Sequence, residues 1–150
     1  MKKLKSIILA AFIMFSAAAA ANADSIGYAD FEKVLTEYTY AKNAYKDIDN
    51  KLTELQQFAI DKDKQYKAIE SPIQRKTFED QTQKEFKARE DKIYDLKVAK
   101  ETEIKNNILT ASKAVAASRK LDVILDYSVI YAGGVDVTND IIQYLNGSKK

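Results

Sequence analysis

The chain has 150 residues, with 24 Lys and Arg against 22 Asp and Glu, and contains neither cysteine nor histidine. No disulfide framework, thiolate nucleophile or acylated cysteine can be built from it, and the commonest general base and zinc ligand is missing. Basic and acidic residues interleave along the whole chain, so no patch of one sign gathers phosphates and no nucleic-acid partner is expected.

The first 23 residues read as a signal peptide. Met1 to Lys5 is a short basic region, Ile7 to Ala20 is an apolar run broken only by Ser16, and Ala21-Asn22-Ala23 offers the small side chains a signal peptidase needs. A retained membrane anchor is the competing reading, but a spanning helix wants roughly 20 apolar residues and this run ends in small alanines. Cleavage after Ala23 and a periplasmic location are therefore expected. Loss of Lys2, Lys3 and Lys5 leaves 21 basic against 22 acidic residues, which removes the apparent basicity of the whole chain.

Residues 24–150 are enough for one domain. Ile26-Gly27-Tyr28-Ala29 alternates as a short strand, and Asp30 is placed to cap a helix that opens with Phe31-Glu32-Lys33-Val34-Leu35. Thr36 to Tyr40 is rich in β-branched and aromatic residues and is expected to bend that helix. From Ala41 a heptad seam emerges through Tyr45, Ile48, Leu52, Leu55, Ala59, Lys62, Tyr66 and Ile69, with Lys62 as its polar interruption.

Ser71-Pro72 breaks the pattern. Proline disfavours helical geometry in the residue before it and suits the first turn of a new helix, so a hairpin tip is predicted, with a proline-kinked continuous helix as the alternative. The return helix carries only Phe78 and Phe86 as large apolar residues between Gln74 and Asp91. A fuller stripe follows through Ile93, Leu96, Ile104, Ile108, Ala111 and Val115. The distal end of the hairpin is therefore expected to be weakly packed.

A second β region is predicted from Val123-Ile124-Leu125, a turn at Asp126-Tyr127-Ser128 and a returning strand Val129-Ile130-Tyr131. Gly133-Gly134 permits a sharp exit, Thr138 is read as the cap of a last helix over 139–145, and a polar tail follows. The fold class is thus α+β, a long coiled-coil-like hairpin over 41–118, with its tip near 71–72, on a small β base formed by 24–40 and 119–147. Such a base buries too little on its own and leaves strand edges open, so assembly through it is expected. Ile26, Tyr28, Val123, Leu125, Val129 and Tyr131 are its candidate oligomer contacts.

The opening Ile26-Gly27-Tyr28-Ala29-Asp30-Phe31 with Val34-Leu35 resembles the start of the Skp/OmpH family of periplasmic chaperones. The later block Leu121-Asp122-Val123-Ile124-Leu125-Asp126, Val129-Ile130-Tyr131 and Asp136-Val137-Thr138-Asn139-Asp140 resembles the family's end. The resemblance spans the mature chain. It implies a homotrimer whose strands join in a central β-body, with three helical hairpins enclosing a cavity for unfolded outer-membrane proteins. No ATP or other cofactor enters that mechanism, and Gly133-Gly134 is too isolated to be a phosphate loop.

Phe58, Tyr66, Ile69, Ile73, Phe78 and Phe86 are the candidate client contacts, each weighed against simple packing within the hairpin. Residues 60–92 hold nine basic and eight acidic residues, a departure from the strongly basic arms of the family. That balance argues against charge-driven capture, leaving at most a weak contact with a membrane surface. Two other readings compete: a periplasmic adaptor that binds one defined partner, and an enzyme using Asp30, Asp122, Asp126, Asp136 and Asp140. The enzyme would need two of those carboxylates to converge in a cleft.

Overall fold

A computed structural model describes residues 25–147. The expected signal peptide and most of the polar tail lie outside the described residues. The elements run β1 (Ile26–Ala29), α1 (Phe31–Glu37), α2 (Thr39–Ala68), α3 (Pro72–Arg119), β2 (Val123–Asp126), a 3-10 turn (Tyr127–Val129), β3 (Val135–Asp136) and α4 (Thr138–Gly147).

Local chemistry sets these boundaries. Asp30 caps α1, its carboxylate accepting from the N–H of Lys33 at 2.8 Å. The helix breaks at Tyr38, whose extended backbone (φ −71°, ψ 110°) separates α1 from α2 within the predicted bend. Ser71 caps α3 with Pro72 in the first turn. Lys120 ends α3 in the left-handed region (φ 56°), and the N–H of Leu121 closes the turn on the carbonyl of Ala116 at 2.9 Å.

Helices α2 and α3 form the hairpin. With 30 and 48 residues, they extend about 45 and 72 Å at 1.5 Å per residue. Lys62 pairs across the hairpin with Glu85 at 3.2 Å, and Lys100 donates to the Tyr40 hydroxyl at 2.8 Å, so the two helices run antiparallel from tip to base.

The core sits at the base. Val34 of α1, Tyr38 at the break and Ala41 and Ala44 of α2 meet Ile104, Ala111 and Val115 of α3 and Ile141, Ile142 and Leu145 of α4. Ile48 is the last buried residue of α2, and Ile104 the first of α3. Beyond them the arms gain little from burial.

Two sequence expectations change at this level. The sheet is three-stranded in the order β2-β1-β3, and both pairings are parallel. Val129-Ile130-Tyr131 is therefore no returning strand: Val129 closes the 3-10 turn, and Tyr131 lies in the connection that carries the chain to the far side of β1. Gly133 (φ 80°) and Gly134 (φ 85°) turn that connection in a conformation L side chains rarely adopt. Thr138 does not cap α4 either: it is the first residue of the helix, the carbonyl of Val137 takes the first helical bond, and Asp136 accepts from the Thr138 N–H at 2.9 Å and the Thr138 hydroxyl at 2.6 Å.

Candidate functional site

The C-terminal motif is a clamp. The Thr138 hydroxyl accepts from the backbone N–H of Asp30 at 3.0 Å, the N–H of Val137 reaches the carbonyl of Tyr28 at 2.9 Å, and Asn139 accepts from Lys33. Asp140 takes both guanidinium contacts of Arg119, at 3.0 and 2.8 Å. The motif thereby ties β1, the start of α1 and the end of α3 to the last helix.

These bonds also account for the base carboxylates. Asp30 caps α1, Asp122 accepts from the N–H of Ser25, and Asp126 accepts from the N–H and hydroxyl of Ser128. The hydroxyls of Ser128 and Thr138, with their N–H groups, hold Asp126 and Asp136 below the usual carboxylate value. Asp30, Asp122, Asp126 and Asp136 thus accept bonds at a helix cap, a strand end and two turns, and Asp140 is held in an ion pair. Among the described residues no group of three or more His, Cys, Asp or Glu is placed to hold a metal ion.

The sheet has two unlike faces. Gly27 and Ala29 point to the helices, and a Cβ on Gly27 would come 2.6 Å from Leu121 Cδ1. Ile26 and Tyr28 alternate to the other face, where the register sets them beside Val123 and Leu125. Ile26 is 40% and Val123 39% exposed. A Cβ on Gly134 would lie 3.2 Å from the Tyr28 ring, so the β2–β3 connection passes there too. It carries exposed Tyr127, Val129 and Tyr131. The six base residues singled out from the sequence thus occupy the uncovered sheet face and the connection beside it.

Along the hairpin the seam runs through Ala41, Ile48, Leu55, Lys62, Tyr66 and Ile69 as predicted, and differs at three alternate positions, each by one residue. Ala44, Lys51 and Phe58 turn toward the partner helix, whereas Tyr45, Leu52 and Ala59 are exposed. Alanine at 41 and 44 brings the helices close at the base, where Tyr38 packs in the core and accepts from Asn107 at 3.1 Å. Burial pushes the Tyr38 phenol up in pKa.

The polar interruption at Lys62 is an ordered cluster. Its ammonium lies 5.1 Å from the Phe58 ring centre and 5.4 Å from that of Phe78 while pairing with Glu85. Glu85 also pairs with Arg89 at 2.8 Å, and Arg89 stacks 4.3 Å over Phe58. Bonds from Arg89 and then Lys62 hold the Glu85 carboxyl below its usual value. An aromatic, cationic and carboxylate layer stands where an apolar heptad layer would be.

The six arm candidates are thereby separated. Phe58 and Phe78 sit in the Lys62 cluster, and Tyr66 lies under Arg75 at 5.5 Å. Arg75 also donates to the carbonyl of Ile69 at 2.6 Å, closing the tip. Phe86 joins Tyr66 and Phe78 in lining an open cleft of about 450 Å³. Ile73 stands 81% exposed. Tyr94 and Val98 are likewise exposed on α3.

A hairpin with a core only at its base, an uncovered apolar sheet face and a C-terminal clamp defines a small assembly body bearing a projecting arm. The sequence model of the family described as outer membrane protein (OmpH-like) matches residues 25–145. The chain belongs to the OmpH-like family, whose members are periplasmic chaperones of outer-membrane proteins. A search among curated proteins finds no match. Among the described residues no helix is long and apolar enough to cross a membrane.

Proposed function

We propose that the mature chain is an ATP-independent holdase of the periplasm that keeps unfolded outer-membrane proteins from aggregating. In this reading three copies join through the uncovered sheet face, and their hairpins enclose the client. Export by the N-terminal segment with cleavage after Ala23 belongs to the same reading.

The observation that carries it is the division of apolar surface. The base buries its helices but leaves Ile26, Val123, Tyr127, Val129 and Tyr131 exposed, while the arms project with half-buried aromatics and no core of their own. Unfolded barrel proteins expose alternating apolar residues and open strand edges, and they aggregate through both. A holdase without an energy source must bind such chains at several weak points, so that folding elsewhere can drive release. Separated small patches on projecting arms meet that requirement.

The test is light scattering of a urea-denatured outer-membrane barrel protein on dilution, with and without the mature chain. Suppression at stoichiometric amounts, unaffected by ATP, is the expected result. Undiminished scattering would favour the adaptor reading, in which the hairpin serves one folded partner.

A further inference from the structure

We infer that Asn146-Gly147 is a self-modification site, where water converts the Asn146 side-chain amide to a carboxylate through a cyclic imide and so unfastens the joint between base and arm. The inference concerns the lifetime of the fold and stands whether or not the chain is a holdase.

The chemistry needs only the local sequence. Of the chain's seven asparagines, only Asn146 is followed by glycine. The backbone nitrogen after an asparagine attacks that residue's Cγ. The new N–C bond closes a five-membered imide, and the side-chain nitrogen leaves as ammonia with the proton of the attacking N–H. Water then adds to either imide carbonyl and breaks one C–N bond, leaving aspartate or isoaspartate. Nothing is oxidised or reduced, and water is the one co-reactant. A Cβ on the following residue crowds the attacking nitrogen and narrows its backbone, whereas glycine does neither. Gly147 is exposed, and a Cβ built on it would meet nothing within 4 Å, so solvent reaches the site.

The fold holds this reaction back. Asn146 and Gly147 are the last two residues of α4. Helical backbone, with ψ about −42°, turns the Gly147 nitrogen away from Asn146 Cγ, so the last turn must open before the ring closes. The amide is also occupied. Its oxygen accepts from the Thr39 N–H at 2.9 Å and its nitrogen donates to the Glu37 carbonyl at 3.0 Å. Helix ends open at little cost unless they are tied down, and these two bonds tie this one. Leu145 shares the core with Ala29, on the helix side of the sheet. Assembly through the opposite sheet face therefore leaves Asn146 within reach of water.

The product does not remake the joint. Aspartate at 146 keeps an acceptor for Thr39 but sets an oxygen against the Glu37 carbonyl, where the amide had a donor. It also puts a negative charge at the C-terminal end of α4, which the helix dipole disfavours. Isoaspartate goes further, because it moves a methylene from the side chain into the main chain and carries the carboxylate out of register with both partners. Glu37 ends α1 and Thr39 opens α2, so both orphaned groups belong to the break from which the arm leaves. Conversion runs one way and marks the age of each molecule. Asn107, which donates to Tyr38, and Asn139, which accepts from Lys33, are followed by Ile108 and Asp140 and serve as internal standards.

The test is to age the mature chain in mildly alkaline buffer made with heavy-oxygen water and to sequence its peptides by mass spectrometry. Asn146 should become an acid carrying one heavy oxygen, faster than Asn107 or Asn139 and more slowly than in the same chain held unfolded in urea. Equal rates in the folded and unfolded chain, or no conversion in the folded one, overturn the inference. Gly147→Ala adds a methyl group in open space and should convert at least about tenfold more slowly, in urea as well as folded. The parent's rate in that variant overturns the imide route. Thr39→Pro removes the N–H that Asn146 accepts, at the first residue of α2 and after an extended Tyr38, where proline fits. It should convert about fivefold faster while keeping its helical circular dichroism, the factor for one hydrogen bond of ordinary strength. A rate equal to the parent's overturns the gate. The aged parent, separated by its added negative charge on ion exchange, gives a readout independent of any variant. Its amides at Thr39, Tyr40 and Ala41 should exchange faster than in fresh protein, and equal exchange contradicts the unfastening.

Discussion

Asn146, in the last turn of α4, accepts a hydrogen bond from the backbone N–H of Thr39 at 2.9 Å, across 107 residues of sequence. Its side-chain nitrogen donates to the carbonyl of Glu37 at 3.0 Å, so one amide satisfies both ends of the break between α1 and α2. The chain's last helix therefore fixes the angle at which the arm leaves the base.

Asn146→Ala should lower stability by about 1–2 kcal/mol, the cost of two orphaned backbone groups at helix ends. Asn146→Asp, which keeps the acceptor and loses the donor, should fall between. Thermal unfolding at 222 nm at one fixed protomer concentration measures both. A midpoint for Asn146→Ala equal to that of the parent would show that the break needs no clamp.

The Lys62 cluster makes a second prediction. Lys62→Leu replaces a partly exposed cation between two rings with an apolar seam residue, and leaves Glu85 paired to Arg89. Amide exchange in the distal arm should slow or hold steady in this variant. Lys62→Asp sets a carboxylate against Glu85 and should speed exchange there while leaving the base unchanged. Equal exchange in the two variants would mean that this layer does not hold the arms together.

Asp136 gives the acid limb. Hydrogen bonds from Thr138 hold its folded pKa below the unfolded value, which is about 3.9. Its stabilising contribution is complete above the unfolded value and is lost as pH falls through the depressed folded one. Asp136→Asn should therefore be less stable at neutral pH yet lose less of its melting temperature between pH 7 and pH 3. An identical loss in parent and variant would place the acid sensitivity elsewhere.

The uncovered sheet face predicts the effect of a charge. Val123→Asp places a carboxylate beside Ile26, which an assembly through that face must desolvate. Sedimentation velocity should show the parent as an oligomer and the variant as a smaller species. A variant that sediments like its parent would remove this face from the interface.

Much of this architecture is legible in the sequence. Asp30 before an apolar turn, Ser71-Pro72 and the heptads after Ala41 are local signals, and the cap, the tip and the hairpin stand where they point. The seam holds at Ala41, Ile48, Leu55, Lys62, Tyr66 and Ile69 but shifts by one residue at the three positions between, because large residues weigh most in a hydrophobic pattern. Tyr45 and Leu52 look like seam residues, whereas Ala44 fits between close helices and Lys51 lies half-buried. The third strand is hidden for another reason. Val129-Ile130-Tyr131 has the composition of a strand, but β1 pairs with the two residues Val135–Asp136, a non-local choice made by the turn at Gly133-Gly134. Thr138 likewise carries the signature of a cap, and its bond to Asp30 becomes visible only when strands 108 residues apart meet.

The most direct test is sedimentation of the mature chain alone and with a urea-diluted outer-membrane barrel protein. The account predicts an oligomer that carries the client with it in a single soluble species. A monomer that leaves the client to precipitate would contradict it.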